Sequence, residues 1–170
     1  MREVPYSTLR SLVAGIDDNF VHLELRDTYG TDVEIPKLRA FLDGKPDDHV
    51  WLEQYLSDMR RHTAAGRRCR RLRIVSEPLS DYQRWGATLV PLFRRAGEDA
   101  RYLPRRQTST LLLPGNDFYV FDSRTALFLH YSGGGSIVGR ELTTEPDVVR
   151  TLLDAFERAW ALSDVEYLPE

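Results

Sequence analysis

The run from Arg67 to Arg106 constrains the fold most, because it reads as a strand, a helix and a second strand in immediate succession. Cys69 to Ser76 alternates basic and apolar residues, Arg71 and Arg73 against Leu72, Ile74 and Val75. That pattern predicts a strand with one solvated face and a fully buried end. Pro78 fits the opening turn of a helix, and Leu79, Tyr82, Trp85, Leu89 and Leu92 follow its inner face at helical spacing. Pro91 has no backbone N–H and is expected to kink or end that helix. Arg101, Tyr102 and Leu103 then read as a short strand stopped by Pro104. Polar residues crowd both edges of these apolar segments, which suggests a cleft but names no reaction.

Before this run, a helix is expected after Ser7, with Leu9, Leu12 and Val13 on one face. Phe20 to Arg26 alternates as a short half-buried strand, and Tyr29 to Asp32 is a turn. A helix over Ile35–Leu42 ends at Gly44, with Pro46 beyond. Asp47 or Asp48 can cap the next, whose apolar stripe is Trp51, Leu52, Tyr55, Leu56 and Met59 and whose end is Gly66. After the turn at Pro114–Asn116, the segments Phe118–Phe121, Ala126–Tyr131 and Ile137–Leu142 read as antiparallel strands. Residues 122–125 and Gly133–Gly135 connect them. Thr144 is placed to cap a final helix with Pro146 near its start and Val148, Val149, Leu152, Leu153, Phe156 and Trp160 on its core face.

Helix–strand units followed by a meander predict an α/β fold, with α+β as the other arrangement that fits: a mixed, mostly antiparallel sheet flanked by helices. The expected organisation is a single domain over 1–170, with an N-terminal helical extension (1–19), a core (20–163) and a tail (164–170). With 170 residues the chain can bury a sizeable core. A net charge of −3 offers no global attraction to nucleic acid or membrane. No apolar run approaches the roughly 20 residues that span a bilayer, and Met1 to Pro5 shows no apolar signal region. The lone Cys69 fits a reducing cytoplasm.

Arg67, Arg68, Arg70, Arg71 and Arg73 could grip phosphates, but nearby acids (Glu77, Asp81, Glu98, Asp99) favour a solvated strand edge whose charges pair. Gly133-Gly134-Gly135-Ser136 lacks the lysine of a phosphate loop and joins two strands, so it reads as a flexible hairpin. His22, His49, His62 and His130 stand far apart, which gives no metal site. Cys69 has no adjacent histidine and reads as a buried structural thiol. Ser76-Glu77-Pro78 sits where a strand gives way to a helix, the edge at which open α/β sheets bind ligands.

The candidate ligand-binding edge therefore runs over Ser76–Arg84, Glu98–Arg105 and Asp117–Asp122. In it Arg84, Arg101 and Arg105 supply charge-assisted donors, and Glu77 and Asp81 orient them. Ser80, Glu98, Asp99, Asp117 and Asp122 add polar groups, and Tyr82 and Trp85 form an apolar wall. No residue is assigned a catalytic role, and no cofactor or metal is called for.

The strings Glu24–Gly30, Val75–Tyr82, Ala96–Asp99, Leu103–Arg106 and Leu113–Phe118 resemble a family of uncharacterised actinobacterial proteins, from about Phe20 to Trp160. The resemblance implies a cytoplasmic companion of helix-turn-helix regulators. A second resemblance is to the phospholipase D-like fold, whose His-x-Lys-x-x-x-x-Asp spacing is echoed by Gly115 to Asp122. Gly115 stands in place of the histidine and Asp117 in place of the lysine; only Asp122 survives, so this copy lacks the imidazole nucleophile of that route.

The leading expectation is a non-catalytic cytoplasmic binding or regulatory domain for a helix-turn-helix regulator or a small polar or anionic ligand. The alternative is a phosphodiesterase-like hydrolase or accessory biosynthetic enzyme using Glu77, Asp81, Glu98 or Asp122 as acid or base. A third reading, nucleic-acid binding through Arg60–Arg73, lacks a recognition-helix motif.

Overall fold

The computed structural model describes residues 1–167. In chain order its elements are β1 (Arg2–Glu3), α1 (Tyr6–Ala14), β2 (Asn19–Glu24), α2 (Glu34–Leu42), α3 (Glu53–Ala64), β3 (Arg68–Val75) and α4 (Asp81–Arg95), followed by β4 (Asp99–Pro104), β5 (Asp117–Phe121), β6 (Thr125–Tyr131), β7 (Ile137–Thr143) and α5 (Pro146–Trp160). Short 3-10 turns over Val50–Leu52 and Arg105–Thr108 precede α3 and follow β4.

Seven strands form one mixed sheet in the order β1-β7-β6-β5-β2-β3-β4. The pairs β2–β3 and β3–β4 are parallel, because α2 and α3 return the chain between the first two and α4 between the second. Every other pair is antiparallel, which is the mostly antiparallel α/β sheet that the pattern of segments predicts. The Asp122–Arg124 and Ser132–Ser136 turns join the meander as expected.

The two faces of the sheet bury different layers. Val21, Leu23, Leu72, Ile74, Leu103, Phe118 and Val120 pack against Val149, Leu152, Phe156 and Ala159 of α5. Phe20, Cys69, Ala100, Tyr102, Tyr119 and Phe121 face the layer of α1, α3 and α4, through Val13, Leu56, Met59, Trp85, Leu89 and Phe93. Residues 1–19 belong to this second core, since Val4, Leu9, Val13 and Ile16 are buried and β1 pairs with β7.

The structure departs from the expected elements in β2, β3, α4 and α5. β2 is not half-buried: Phe20 to Glu24 are all buried, because the strand lies at the centre of the sheet with helices on both faces. β3 has no solvated face over its second half, where Arg71 and Arg73 are buried. α4 begins at Asp81 rather than Pro78, because Ser80 takes an extended conformation and its hydroxyl accepts the Gln83 N–H at 3.1 Å. α4 also runs through Pro91, which sits on its exposed side, where water can satisfy the carbonyl that loses its donor. At α5 the cap is Glu145, not Thr144, and Thr143 Oγ1 instead accepts the Glu145 N–H at 3.2 Å.

Candidate functional site

Alternate residues of a strand share a face, and on β2 and β3 this places His22, Glu24, Arg71 and Arg73 together beneath α3 and α4. Arg71 Nη1 donates to Glu24 at 2.5 Å, and Arg71 Nε donates to Glu98 at 2.8 Å. Arg71 Nη2 donates to the Tyr55 hydroxyl at 2.8 Å. Arg73 Nε lies 2.8 Å from the second Glu24 oxygen, and its Nη1 donates to the Tyr102 hydroxyl at 3.1 Å. Two acids and two guanidiniums thus balance in a buried cluster, as buried charge requires.

Burial alone would lift the Glu24 carboxyl, but Arg73, then Arg71 and His22, hold it down to about 2. His22 is driven the other way: burial holds its imidazole well below the usual histidine range, with the pull of Glu24 too weak to offset it. The ring stacks on Tyr119, with centroids 3.7 Å apart. Gly86 on α4 leaves room for Arg73; a Cβ there would stand 2.7 Å from Arg73 Nη1.

A second polar assembly lies at the C-terminal ends of β2, β3 and β4. Asp27 accepts the Ser76 N–H and hydroxyl, each at 2.7 Å. Arg105 Nη2 donates to the carbonyls of Leu25 (2.6 Å) and Ile74 (3.0 Å), and its Nε donates to Ser76 Oγ at 3.0 Å. One guanidinium therefore ties the loops that follow all three parallel strands. Outside it, Arg106 Nη2 lies 3.4 Å from Glu77, and the Arg106 side chain is 77% exposed.

Beside this rim, Asp117 accepts the Tyr29 hydroxyl at 2.6 Å and the Leu25 N–H at 2.9 Å. Burial pushes its carboxyl up to about 6, despite those two hydrogen bonds. The Tyr29 loop is held from the other side, where Gly30 donates its N–H to Gly135 O at 3.0 Å. The glycine hairpin is thus a clasp on this loop.

The residues expected at one edge fall into separate places. Glu77 and Arg105 share the rim. Ser80 caps α4, and its hydroxyl also donates to the Asp27 carbonyl. Asp81 and Arg84 pair with each other on the exposed side of α4. Tyr82 and Trp85 point inward rather than forming an outer wall; the Tyr82 hydroxyl donates to Glu34 at 2.8 Å, and Trp85 stacks on Trp51. Glu98 is 1% exposed in the Arg71 cluster. Asp99 and Arg101 lie on the opposite face of the sheet, joined at 2.9 and 2.7 Å, with the guanidinium 4.1 Å from the Trp160 ring centre.

Asp117 and Asp122 stand at opposite ends of β5, so the spaced pair of the phospholipase D-like reading does not meet at one site. Asp122 Oδ1 accepts the N–H groups of Asp17, Asp18 and Asn19 at 3.0, 2.8 and 3.3 Å. The basic run disperses as well. Arg60 pairs with Glu53, Arg61 with Asp58, Arg70 with Glu157 and Arg71 with Glu24 and Glu98. Arg67 donates to His62.

Sequence reasoning missed Glu24, Asp27, Tyr29 and Tyr55 as members of these assemblies. The parity of His22 and Glu24 with Arg71 and Arg73 was the available signal. Surface grooves of about 360 Å³ beside Arg124 and Arg150 and about 320 Å³ beside His49 and Arg95 contain none of the residues expected at the ligand-binding edge. Among the described residues, no group of three or more His, Cys, Asp or Glu side chains could hold a metal ion, and no helix is long and apolar enough to cross a membrane.

A protein-family model described as a domain of unknown function, DUF6879, matches residues 7–165. No curated protein matches the chain.

Proposed function

The chain belongs to the DUF6879 family, and we propose that it is a non-catalytic binding domain whose rim at the ends of β2, β3 and β4 docks a partner protein. The cytoplasm and the company of a transcriptional regulator are the setting we propose for it, following what the sequence resemblance implies. The observation that carries this reading is the cross-bonding by Arg105 of the loops after all three parallel strands. A recognition surface built on loops gains affinity when those loops are fixed before binding. On that fixed base, the Glu77–Arg106 pair is presented outward. Of the acids named for proton transfer, Glu98 is buried on Arg71, Asp122 is bound by three backbone N–H groups, Asp81 pairs with Arg84 and Glu77 with Arg106.

Affinity capture from native lysate, read by mass spectrometry, tests the proposal with the tagged chain and its Arg106→Glu variant. A stoichiometric regulator protein recovered with the parent and lost with Arg106→Glu is the expected result. An enriched metabolite in place of a protein, or equal recovery by both chains, would overturn it.

A further inference from the structure

The outer edge of β4 is the sheet's second boundary, and an open edge offers unpaired backbone groups to any extended segment. Here the chain covers it with its own residues. Tyr102 forms a single antiparallel bridge with Asp164, beyond the end of α5. Arg94 Nε and Nη2 donate to Ala100 O at 3.0 and 2.9 Å, and the same Nη2 donates to Val165 O at 2.9 Å. Farther along, the Tyr167 hydroxyl donates to Glu77 at 2.6 Å, which brings the segment onto the rim described above.

This cover is slight. One bridge, two side-chain contacts and the packing of a half-buried Tyr167 ring against the core hold it, and Asp164, Val165 and Glu166 are exposed. Segments tied by so few buried contacts open at low cost. The cover nonetheless carries side-chain chemistry matched to its seat. The Tyr167 hydroxyl meets the Glu77 carboxylate.

We propose that the β4 edge is a strand-addition site for an extended partner segment that places a hydroxyl-bearing aromatic residue at Glu77, and that Ser163–Tyr167 occupies this site in cis. The inference rests on the reading of the rim as a protein-docking surface and names the form the partner takes there. Main-chain pairing supplies the attachment in such additions, and side chains at fixed positions supply the choice. Pro104 has no N–H to give and sets the limit of the ladder at one end.

The probe is a fluorescein-labelled peptide with the sequence of residues 162–167, Leu-Ser-Asp-Val-Glu-Tyr, titrated by fluorescence polarisation. It is added to the full chain and to the full chain carrying Asp164→Pro and Tyr167→Ala, which releases the cover by removing a backbone donor at the bridge and the half-buried Tyr167 ring. Binding to the released chain at least tenfold tighter than to the parent is expected. A peptide with Asp164→Pro, which has no donor for the bridge, should lose that gain. Hydrogen exchange at Ala100–Tyr102, faster in the released chain and slowed again by peptide, gives a second readout.

Equal binding to both chains, or binding to neither, would overturn the proposal. Dimerisation of the released chain by sedimentation would overturn the partner assignment in favour of a second copy. Peptide binding that persists while Arg106→Glu leaves lysate capture unchanged would reject the rim reading and leave the edge standing.

Discussion

Arg71 and Glu98 meet at 2.8 Å beneath α3 and α4, with Glu24 closing the other side of the same guanidinium. Removing one member of a buried pair leaves the other charged and unpaired, which costs about 3–5 kcal/mol. Glu98→Ala should therefore lower unfolding free energy in urea by about that amount. Arg71→Met combined with Glu98→Gln should cost less than the sum of the single changes, with a coupling above about 1 kcal/mol. Strict additivity would show that Glu24 and Tyr55 alone satisfy Arg71.

Asp117 and Glu24 give stability opposite dependences on pH. The folded Asp117 carboxyl, raised to about 6, holds its proton more tightly than an unfolded aspartate at about 3.9. Its favourable contribution is full below the unfolded value and is lost as pH rises through about 6, a change of roughly 3 kcal/mol. Glu24, held at about 2, contributes stability above the unfolded glutamate value of about 4.3, lost as pH falls toward about 2. Asp117→Asn should remove the decline between pH 4 and pH 7 and leave the acid limb in place. Urea midpoints measured across that range decide it, and an unchanged slope would assign the decline to another group.

Much of the fold was legible because turn chemistry and apolar spacing are local. Pro114–Asn116 and the glycine hairpin bound three strands whose pairing follows from short connections. The charge cluster was not legible, because Arg71 and Arg73 alternate with apolar residues as a solvated face would. Their partners lie at positions 24 and 98, and only the sheet order brings those acids beside β3. The expected cleft failed for a related reason. Glu98 precedes Ala100 and Tyr102 on one face of β4, while Asp99 and Arg101 take the other, a separation that the two-residue period already contains. Pro78 was read as the start of this helix, although the Ser80 side chain is the one that satisfies the α4 N-terminus.

Gly86 is the position at which α4 yields space to the charge cluster. A helical glycine-to-alanine change ordinarily stabilises by about 0.5–1 kcal/mol. Here the added methyl would stand 2.7 Å from Arg73 Nη1 and 3.5 Å from the Tyr102 hydroxyl. Gly86→Ala should therefore destabilise, by roughly 1–3 kcal/mol as overpacking does. Adding Arg73→Met should shrink the penalty, because a flexible apolar side chain can move aside. A thermal melt series resolves the sign, and a stabilised Gly86→Ala chain would refute the close approach.

Asp122 separates architecture from docking. Its carboxylate accepts three successive N–H groups where the chain enters β2, and Arg124 lies 3.5 Å away. Asp122→Ala leaves those donors without their acceptor and places alanine at a φ of 52°, which aspartate and asparagine tolerate better. The expected loss is about 2–3 kcal/mol, from unmet donors near a part-buried strand end. Asp122→Asn keeps the backbone conformation and one acceptor oxygen, so it should recover about half of that. Neither variant should change partner capture while it remains folded, because Asp122 lies at the opposite end of β5 from Asp117 and the rim. Arg106→Glu should show the converse, with capture lost and the urea midpoint unmoved. Loss of capture by folded Asp122→Asn would move the docking surface to the Asp17–Asp122 end of the sheet.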